Sequence, residues 1–269
     1  MSIFQSERNR TEESSVDRIR YYVARLEAWL SACEIEIVLF DLDDTLVATE
    51  PLFTSRFDHC VRVILKARPQ LASVEVTEAL KAINVDSFQR MGANLDRRWP
   101  YVVDELSARF SLKSRAVREV LLSTLGSIYD ELPKLKRGAK KLIEALSQCS
   151  PKVGLVTHAN REWTDFKLDG LDIRRFFTRV FIVDENSFKT EVSWSDAINC
   201  FGVFPEHVLV VGDNLRGDIV AARAIGVQKL VWLRSAATWG HYQEGEIPEG
   251  VTIVGDINEF LVTVTQGWQ

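Results

Sequence analysis

The sequence predicts an α/β fold: a doubly wound parallel sheet with helices on both faces, together with an inserted all-α helical domain. Two observations lead to this prediction. From Glu36 onward, short and continuous apolar runs alternate with helical patterns, as expected for strands buried on both faces. Between Leu46 and Pro151 the alternation stops, and helical patterns follow one another with no convincing strand. This interval indicates a helical domain inserted after the first strand.

Each predicted strand is a run of four or five mainly apolar residues, such as "VLVVG" at 208–212. Unbroken runs suit a parallel sheet better than the alternating pattern of a half-exposed strand. The predicted strands are 37–40, 153–157, 180–183, 208–212 and 230–233, with 251–254 as a weaker sixth. The predicted helices between them are 161–177, 193–201 and 215–225, and the last ends before Gly226, a residue type favoured just beyond a helix C-terminus.

The insertion contains helical patterns at 52–67, 74–83, 101–110 and 114–132. A further pattern, 138–148, leads straight into the second strand and is assigned to the sheet domain. The predicted organisation is a helical cap domain at 50–135 and an α/β core formed by 34–49 and 136–269. A cap inserted after the first strand would lie above the carboxyl ends of the strands, where open α/β sheets bind ligands.

Residues 1–33 are expected to form an N-terminal extension with one amphipathic helix. Ile19, Val23, Leu26 and Leu30 share one helical face, and Ser15 is available as an N-cap. This face is expected to pack on the body of the protein, with a dimer contact as the alternative. The oligomeric state therefore stays open between a monomer and a homodimer.

Composition narrows the expected partners and location. The 269-residue chain has a formal net charge of −5 and no basic block, so neither nucleic acid nor an anionic membrane is an expected partner. No apolar stretch approaches the roughly 20 residues that span a bilayer, and the polar N-terminus does not resemble a secretory signal. The four cysteines are scattered, without the spacing of a zinc site or a disulfide framework. These features predict a cytoplasmic protein.

The stretch "VLFDLDDTL" brings Asp41, Asp43 and Asp44 to the end of the first predicted strand. Two like charges about 4 Å apart repel by about 4 kcal/mol at an effective dielectric constant near 20. Either these acids are ordinary turn residues that face water, or a cation lies between them. The segment alone leaves both interpretations open.

Three later segments also place polar side chains after predicted strands or in loops. Thr157 and His158 follow the second strand, Lys189 lies in a loop, and Asp213 and Asp218 follow the fourth strand in "GDNLRGD". Each has an ordinary structural interpretation: a helix cap, a loop residue, a solvated charge, and an acid in the first turn of a helix. Each also suits phosphate binding or metal ligation.

Taken together and in this order, "DLDDT", Thr157, Lys189 and "GDNLRGD" resemble the four motifs of the haloacid dehalogenase superfamily. The resemblance covers the chain from about Ile37 to Leu261. The helical insertion is similar to the C1-type cap that this superfamily carries between its first and second motifs. The resemblance implies a Rossmann-like core and a phosphatase that uses Mg²⁺ as its cofactor.

The resemblance also implies a role for each matching acid. Asp41 would be the nucleophile that forms an aspartyl-phosphate, and it would ligate Mg²⁺ together with Asp213. Asp43 would ligate through its backbone carbonyl and act as general acid and then general base. Asp218 would either ligate the metal itself or contact the residues that ligate it. Dehalogenases of the superfamily lack an acid at the position of Asp43, so this residue favours phosphoryl transfer.

The remaining motif residues would bind the phosphoryl group. Thr157 and His158 would hold its oxygens, and Lys189 would neutralise its charge. One departure is Thr190, because family members with this type of cap often carry proline after the lysine. Lys167 is the alternative for the lysine of this motif.

The expected function is hydrolysis of a small phosphorylated metabolite. A phosphomutase shares every motif named above, and an inactive scaffold that binds a protein partner is the alternative from another class. Substrate choice is expected to lie in the cap, where Arg56, Arg97, Arg98 and Trp99 are the first candidates. For these four residues the pattern favours the ordinary interpretation of solvated charges and a packing tryptophan.

Overall fold

The protein is built around a six-stranded, entirely parallel sheet, seen in a computed structural model that describes residues 20–234 and 240–266. The strands are β1 (Ile37–Phe40), β2 (Val47–Ala48), β3 (Lys134–Leu135), β4 (Lys152–His158), β5 (Arg179–Val183), β6 (Val208–Gly212), β7 (Lys229–Leu233) and β8 (Thr252–Val254). The sheet has the order β5-β4-β1-β6-β7-β8, and β2 and β3 form a separate antiparallel pair. All six predicted strands of the main sheet are confirmed.

Helices cover both faces of this sheet, which confirms the doubly wound α/β prediction. The helices are α1 (20–32), α2 (Glu50–Ala67), α3 (Ser73–Met91), α4 (Leu95–Phe110), α5 (Arg115–Gly126), α6 (Ala139–Leu146), α7 (Arg161–Gly170), α8 (Glu191–Phe201), α9 (Ala221–Ala224) and α10 (Ile257–Gln266). A π-helical turn, Leu215–Val220, leads into α9.

The central strand β1 consists of an unbroken apolar run because both of its faces are buried. Its four side chains are almost completely buried, with Val38 and Phe40 packing in the core on one face of the sheet and Ile37 and Leu39 in the core on the other. Both faces of the strand therefore exclude water, as in other parallel sheets covered by helices.

The order of the strands determines where the chemistry can lie. β1 lies between β4 and β6, and the chain turns to opposite sides of the sheet from this point. The segments that follow β1, β4 and β6 therefore meet at one edge, in the crevice where doubly wound sheets bind ligands.

Helices α2 to α5 pack against one another around their own apolar cluster, which includes Phe57, Ile64, Val102, Leu106 and Leu121. This cluster is distinct from the two cores on the faces of the sheet, and among the described residues the one buried residue that it takes from the sheet domain is Trp163 of α7. The separation supports the proposed division into a core and a cap at 50–135, which remains a proposal.

The prediction of no strand between Leu46 and Pro151 was wrong in one respect. Val47 and Ala48 pair with Leu135 and Lys134 in the short β2–β3 ribbon. Two-residue strands are too short to show a pattern in the sequence, and this pair forms where the chain leaves and re-enters the sheet domain.

Several helix ends also differ from the predictions. α3 continues to Met91, and α4 begins at Leu95 with Asn94 as its N-cap (Arg97 N–H to Asn94 Oδ1, 3.2 Å). Pro100 lies inside α4, where a proline normally discourages helix. α7 ends at Gly170, and Asp172 then adopts a φ of 54°, which stops the predicted helix short of residue 177.

The described part of the N-terminal helix, α1, packs on the sheet domain through the buried Leu26 and Leu30. Ser15 and Ile19, on which the predicted start of this helix depends, lie outside the described residues. Among the described residues, none of the helices combines the length and the apolar character needed to cross a bilayer.

Candidate active site

Three buried carboxylates meet at the carboxyl edge of β1 and β6. Asp41 directly follows β1 and Asp213 directly follows β6, and Asp218 lies in the π-helical turn after β6. One carboxylate oxygen from each lies within 4.8 Å of those of the other two. The structure therefore brings together three of the acids that the sequence singled out, although 172 residues separate Asp41 from Asp213 in the chain.

The backbone around these acids is held by buried indole groups. Trp232 Nε1 donates to the carbonyl of Asp213 (2.8 Å), and Trp194 Nε1 donates to the carbonyl of Gly217 (2.7 Å). Both tryptophans are fully buried. The role of these tryptophans is not predictable from the sequence, because a tryptophan in an apolar run gives no sign of the carbonyl group that it will contact.

Gly212, the last residue of β6, makes room for Asp218. A Cβ atom at this position would lie 2.2 Å from Asp218 Oδ2, a distance that real Cβ atoms do not adopt. The same Oδ2 accepts a hydrogen bond from the Asn214 N–H (3.0 Å). Glycine is thus required here by the close packing of the backbone against the Asp218 side chain.

Lys189 lies between two of the acids. Its Nζ forms ion pairs with Asp41 and with Asp218 Oδ1 (2.6 Å), and it donates to the carbonyl of Val156 (3.1 Å). Burial alone would lower the pKa of this ammonium group, but Asp218 and Asp41 together hold its pKa above the ordinary value. Lys189 is therefore a fixed positive charge in the site.

Thr190 follows Lys189, at the position where family members with this type of cap often carry proline. Thr190 is the N-cap of α8, and its backbone N–H donates to Ser193 Oγ (3.2 Å) in a capping box. This cap fixes the start of α8 directly after Lys189. The structure thus places Lys189, rather than Lys167, beside Asp41.

Lys167 nevertheless belongs to the same site. Its fully buried ammonium group forms an ion pair with Asp43 and lies 3.8 Å from the ring centroid of Trp163. In the sequence, Lys167 was only the alternative to Lys189. In the structure both lysines lie in the site, where Lys167 pairs with Asp43 and Lys189 pairs with Asp41. The position of Lys167 in its helix could have indicated this burial. Lys167 lies four residues after Trp163 and therefore on the same inward face of α7.

The three acids of the first segment have different surroundings. Asp44, at a φ of 58°, accepts hydrogen bonds from Thr49 and from the backbone N–H of Glu50, so it caps the start of α2. Burial raises the pKa of Asp43, while the Lys167 ammonium opposes this shift. Asp44 is therefore a buried residue that caps the turn into α2 rather than a turn residue that faces water, whereas Asp43 faces the site.

Thr157 and His158 lie at the end of β4. The buried Thr157 Oγ1 and His158 Nε2 have no hydrogen-bond partner among the described residues. Burial and the nearby Lys189 ammonium lower the pKa of His158 to about 4, so its imidazole is neutral at physiological pH. Both groups are available to bind a ligand oxygen.

The carboxylate cluster fits a hard divalent cation. Burial raises the pKa of Asp213 well above its ordinary value, and the carboxylates of Asp41, Asp44 and Asp218 raise it further. Burial also raises the pKa of Asp218 to about 6, although the Lys189 ammonium opposes this shift. Asp213 Oδ2 is buried and has no hydrogen-bond partner within the described part of the chain. Oxygen ligands of this type are those that Mg²⁺ prefers.

A sequence model of the haloacid dehalogenase-like hydrolases matches residues 38–232, which is most of the chain. The chain belongs to this family. The match starts in β1 and ends in β7, so it spans the helical insertion and all of the segments that form the carboxylate cluster. The family that the four motifs resemble is therefore confirmed.

Curated relatives of this haloacid dehalogenase-like hydrolase include two kinds of phosphatase. A glyceraldehyde 3-phosphate phosphatase from Pyrococcus furiosus is 28% identical over 216 residues, which cover 78% of this chain and 83% of that protein. The pyrophosphatase PpaX from Halalkalibacterium halodurans is 28% identical over 202 residues, which cover 74% of this chain and 83% of that protein.

Solved structures of family members share the fold. A haloacid dehalogenase-like hydrolase from Xanthomonas campestris superposes with a TM-score of 0.66 at 16% identity, covering 85% of this chain and 89% of the other. The putative hydrolase YfnB from Bacillus subtilis, solved with magnesium, superposes with a TM-score of 0.61 at 18% identity, covering 87% of this chain and 99% of the other. At this level of identity the comparison concerns the fold alone.

The helical insertion of this hydrolase is docked onto the core beside the carboxylate cluster. The Ala93 N–H donates to the carbonyl of Glu185 (2.7 Å), and Asn94 Nδ2 donates to Asn186 Oδ1 (2.9 Å). Gly92 has a φ of 61°, and a Cβ there would lie 2.2 Å from the Glu185 carbonyl oxygen. The loop between α3 and α4 therefore packs closely on the loop that leads to Lys189.

The four cap residues considered for substrate choice have different positions. Arg56 binds Ser127 Oγ (3.0 Å) and Glu131 (2.5 Å) within the insertion, Arg97 is exposed, and Trp99 is buried in the apolar cluster of the insertion. For these three the ordinary interpretation fits the structure. Arg98 does not fit the interpretation of a solvated charge, because it is buried and lines a cavity that Asp43 also lines.

Proposed function

We propose that this protein is a Mg²⁺-dependent phosphatase that hydrolyses a small phosphorylated metabolite through an aspartyl-phosphate on Asp41. The observation that carries the proposal is the position of Lys189, which bridges Asp41 and Asp218 at the centre of the carboxylate cluster. A nucleophilic carboxylate must approach an anionic phosphate, and this arrangement supplies a fixed positive charge at that point.

The acids would hold the metal. The carboxylates of Asp41, Asp213 and Asp218, with the backbone carbonyl of Asp43, are the proposed ligands. Bound Mg²⁺ supplies positive charge that offsets the repulsion between the substrate phosphate and the attacking carboxylate. Lys189, which pairs with Asp41 and Asp218, would add to that charge.

The chain's own groups would then carry out an in-line displacement. A carboxylate oxygen of Asp41 attacks phosphorus and forms a P–O bond as the bond to the leaving oxygen breaks. The Thr157 hydroxyl donates a hydrogen bond to a phosphoryl oxygen, and the neutral His158 lies beside it. Protonated Asp43 gives its proton to the leaving oxygen.

Asp43 would return as a base in the second step. Its carboxylate takes a proton from a water molecule, which attacks phosphorus and releases inorganic phosphate and free Asp41. Two opposing influences suit this double role: burial raises the pKa of Asp43 and favours its acid form, while the Lys167 ammonium favours its carboxylate. Both forms are needed in one cycle.

Two further observations support a phosphatase over a dehalogenase. Asp43 provides an acid for the leaving group, which dehalogenation does not need. The two named relatives, a glyceraldehyde 3-phosphate phosphatase and a pyrophosphatase, both release phosphate from phosphorylated substrates. A cytoplasmic location and a monomeric or homodimeric state remain predictions from the sequence.

The test is phosphate release by the purified full chain from p-nitrophenyl phosphate, acetyl phosphate and a panel of sugar and nucleoside phosphates. We expect turnover with Mg²⁺ and its loss when EDTA removes the metal. Substrate isomerisation that outpaces phosphate release would identify a mutase instead. No Mg²⁺-stimulated release from any substrate would overturn the proposal in favour of a scaffold.

A further inference from the structure

Arg98 is a buried cation that forms no ion pair within the described part of the chain. It lies in the first turns of α4, and only 7% of its surface is exposed. Its Nη2 donates to Asn84 Oδ1 (2.6 Å) and its Nε to Ser87 Oγ (3.3 Å), both of which are neutral acceptors on α3. Nη1 donates to no acceptor among the described residues.

The rest of its surroundings is aromatic. The guanidinium carbon lies 4.7 Å from the ring centroid of Trp99, 5.1 Å from that of Phe88 and 6.0 Å from that of Phe53. Aromatic faces attract a cation, but they carry no net charge to neutralise it. Arginine keeps its proton in proteins, and burying a charge without a counter-ion is costly. Among the described residues, this desolvated positive charge therefore has no ion-pair partner, although the carboxyl groups of Asp43 and Asp44 line the same cavity.

The cavity that Arg98 lines is connected to the proposed chemistry. It measures about 80 Å³, and Asp43 and His158 are also among the residues that line it. Asp43 is the group that would protonate the leaving oxygen, so in the proposed mechanism this cavity would receive the leaving group. A cavity needs about 10–15 Å³ to hold one water molecule, so this one admits only a few non-hydrogen atoms.

We infer that Arg98 binds a second anionic group, a carboxylate or a phosphate, on the leaving group of a small phosphomonoester. The inference rests on the proposed function and adds a substrate class to it. An anionic group would complete the coordination of the guanidinium and supply the missing counter-charge. A neutral leaving group of the same size would leave that charge unpaired.

Substrate pairs that differ only in this group test the inference. Phosphoglycolate and 2-hydroxyethyl phosphate form one pair, and 3-phosphoglycerate and glycerol 3-phosphate form a second. Propane-1,3-diol bisphosphate and 3-hydroxypropyl phosphate test a phosphate in place of the carboxylate. A hydrogen bond to a charged group corresponds to roughly a 10- to 100-fold effect, so we expect kcat/KM of wild type to favour at least one anionic member by about that factor.

The variant Arg98→Gln should remove this preference, and Arg98→Lys should keep part of it because the charge remains. A defect that is only structural would lower kcat/KM equally for both members of a pair, so the ratio separates the two explanations. Arg97→Gln makes the same change of charge one residue earlier on the exposed face of α4 and should leave the ratio unchanged.

Wild-type protein that releases phosphate from acetyl phosphate but treats the members of every pair alike would overturn the inference and leave the proposed function intact. An Arg98→Gln protein that is folded by circular dichroism and keeps the wild-type ratio would overturn it as well. Absence of phosphate release from all substrates would instead count against the proposed function itself. If Arg98→Gln fails to fold, the ratios of wild type and Arg98→Lys decide.

Discussion

Replacing Asp41 with asparagine is expected to reduce phosphate release by a factor on the order of 10³ or more, since removing a nucleophile typically has effects of that size or larger. The amide of asparagine is uncharged and a poor nucleophile, so no aspartyl-phosphate can form. The measurement is kcat for release of inorganic phosphate with saturating Mg²⁺, using the best substrate of the panel.

The fold should survive this change. Lys189 keeps its ion pair with Asp218, and the substitution removes one of several crowded negative charges. Asp104→Asn serves as the matched control, because Asp104 is 60% exposed on α4 and its single ion pair among the described residues is with Arg118 on the surface. The control should keep activity within about twofold of wild type, since surface ion pairs contribute little. Retention of one-tenth of wild-type activity by Asp41→Asn would contradict the assigned nucleophile.

Replacing Lys189 with methionine is expected to lower both activity and metal-free stability. Removing one partner of a buried ion pair costs about 3–5 kcal/mol, because the remaining charges stay buried without compensation. Here Asp41 and Asp218 would both lose the same cation. We expect the free energy of unfolding in EDTA to fall by about this amount and kcat to fall by about 10²-fold or more.

Magnesium should recover part of the lost stability, because a cation among the acids would replace some of the missing charge. The measurement is urea denaturation in EDTA and in Mg²⁺, and the expected signature is a larger Mg²⁺-induced stabilisation in the variant than in wild type. Lys140→Met is the matched control, because Lys140 is 53% exposed and 3.9 Å from Glu144. Equal stabilities of wild type and Lys189→Met in EDTA would show that Lys189 does not neutralise the cluster.

The sheet could be predicted from the sequence because its strands are defined by a local property. An unbroken apolar run such as 37–40 must be buried on both faces, and in a soluble protein a covered parallel sheet satisfies that need. The same runs placed Asp41 and Asp213 directly after predicted strands, and the structure shows that these strands, β1 and β6, are neighbours. The β2–β3 ribbon escaped prediction because two-residue strands depend on where the insertion leaves the core, which is a tertiary property.

The candidate site was only partly predictable for a related reason. Residues at strand ends were found, since their position follows from local pattern. Lys167 and Arg98 were not assigned, because each is a charged residue inside a helix, where charge normally indicates a solvated face. Only the packed structure shows that α7 turns Lys167 onto Asp43 and that α4 buries Arg98 beside the same cavity.

The identity of the phosphorylated side chain tests the account most directly. Magnesium-loaded wild-type protein can be mixed with acetyl phosphate, quenched in acid during turnover and digested, and the phosphoryl group located by peptide mass spectrometry. If Asp41 is the nucleophile, we expect a phosphoryl group on Asp41 that survives the acid quench and is absent when EDTA replaces Mg²⁺. A phosphoryl group on any other residue, or steady phosphate release with none trapped on Asp41, would contradict this role of Asp41.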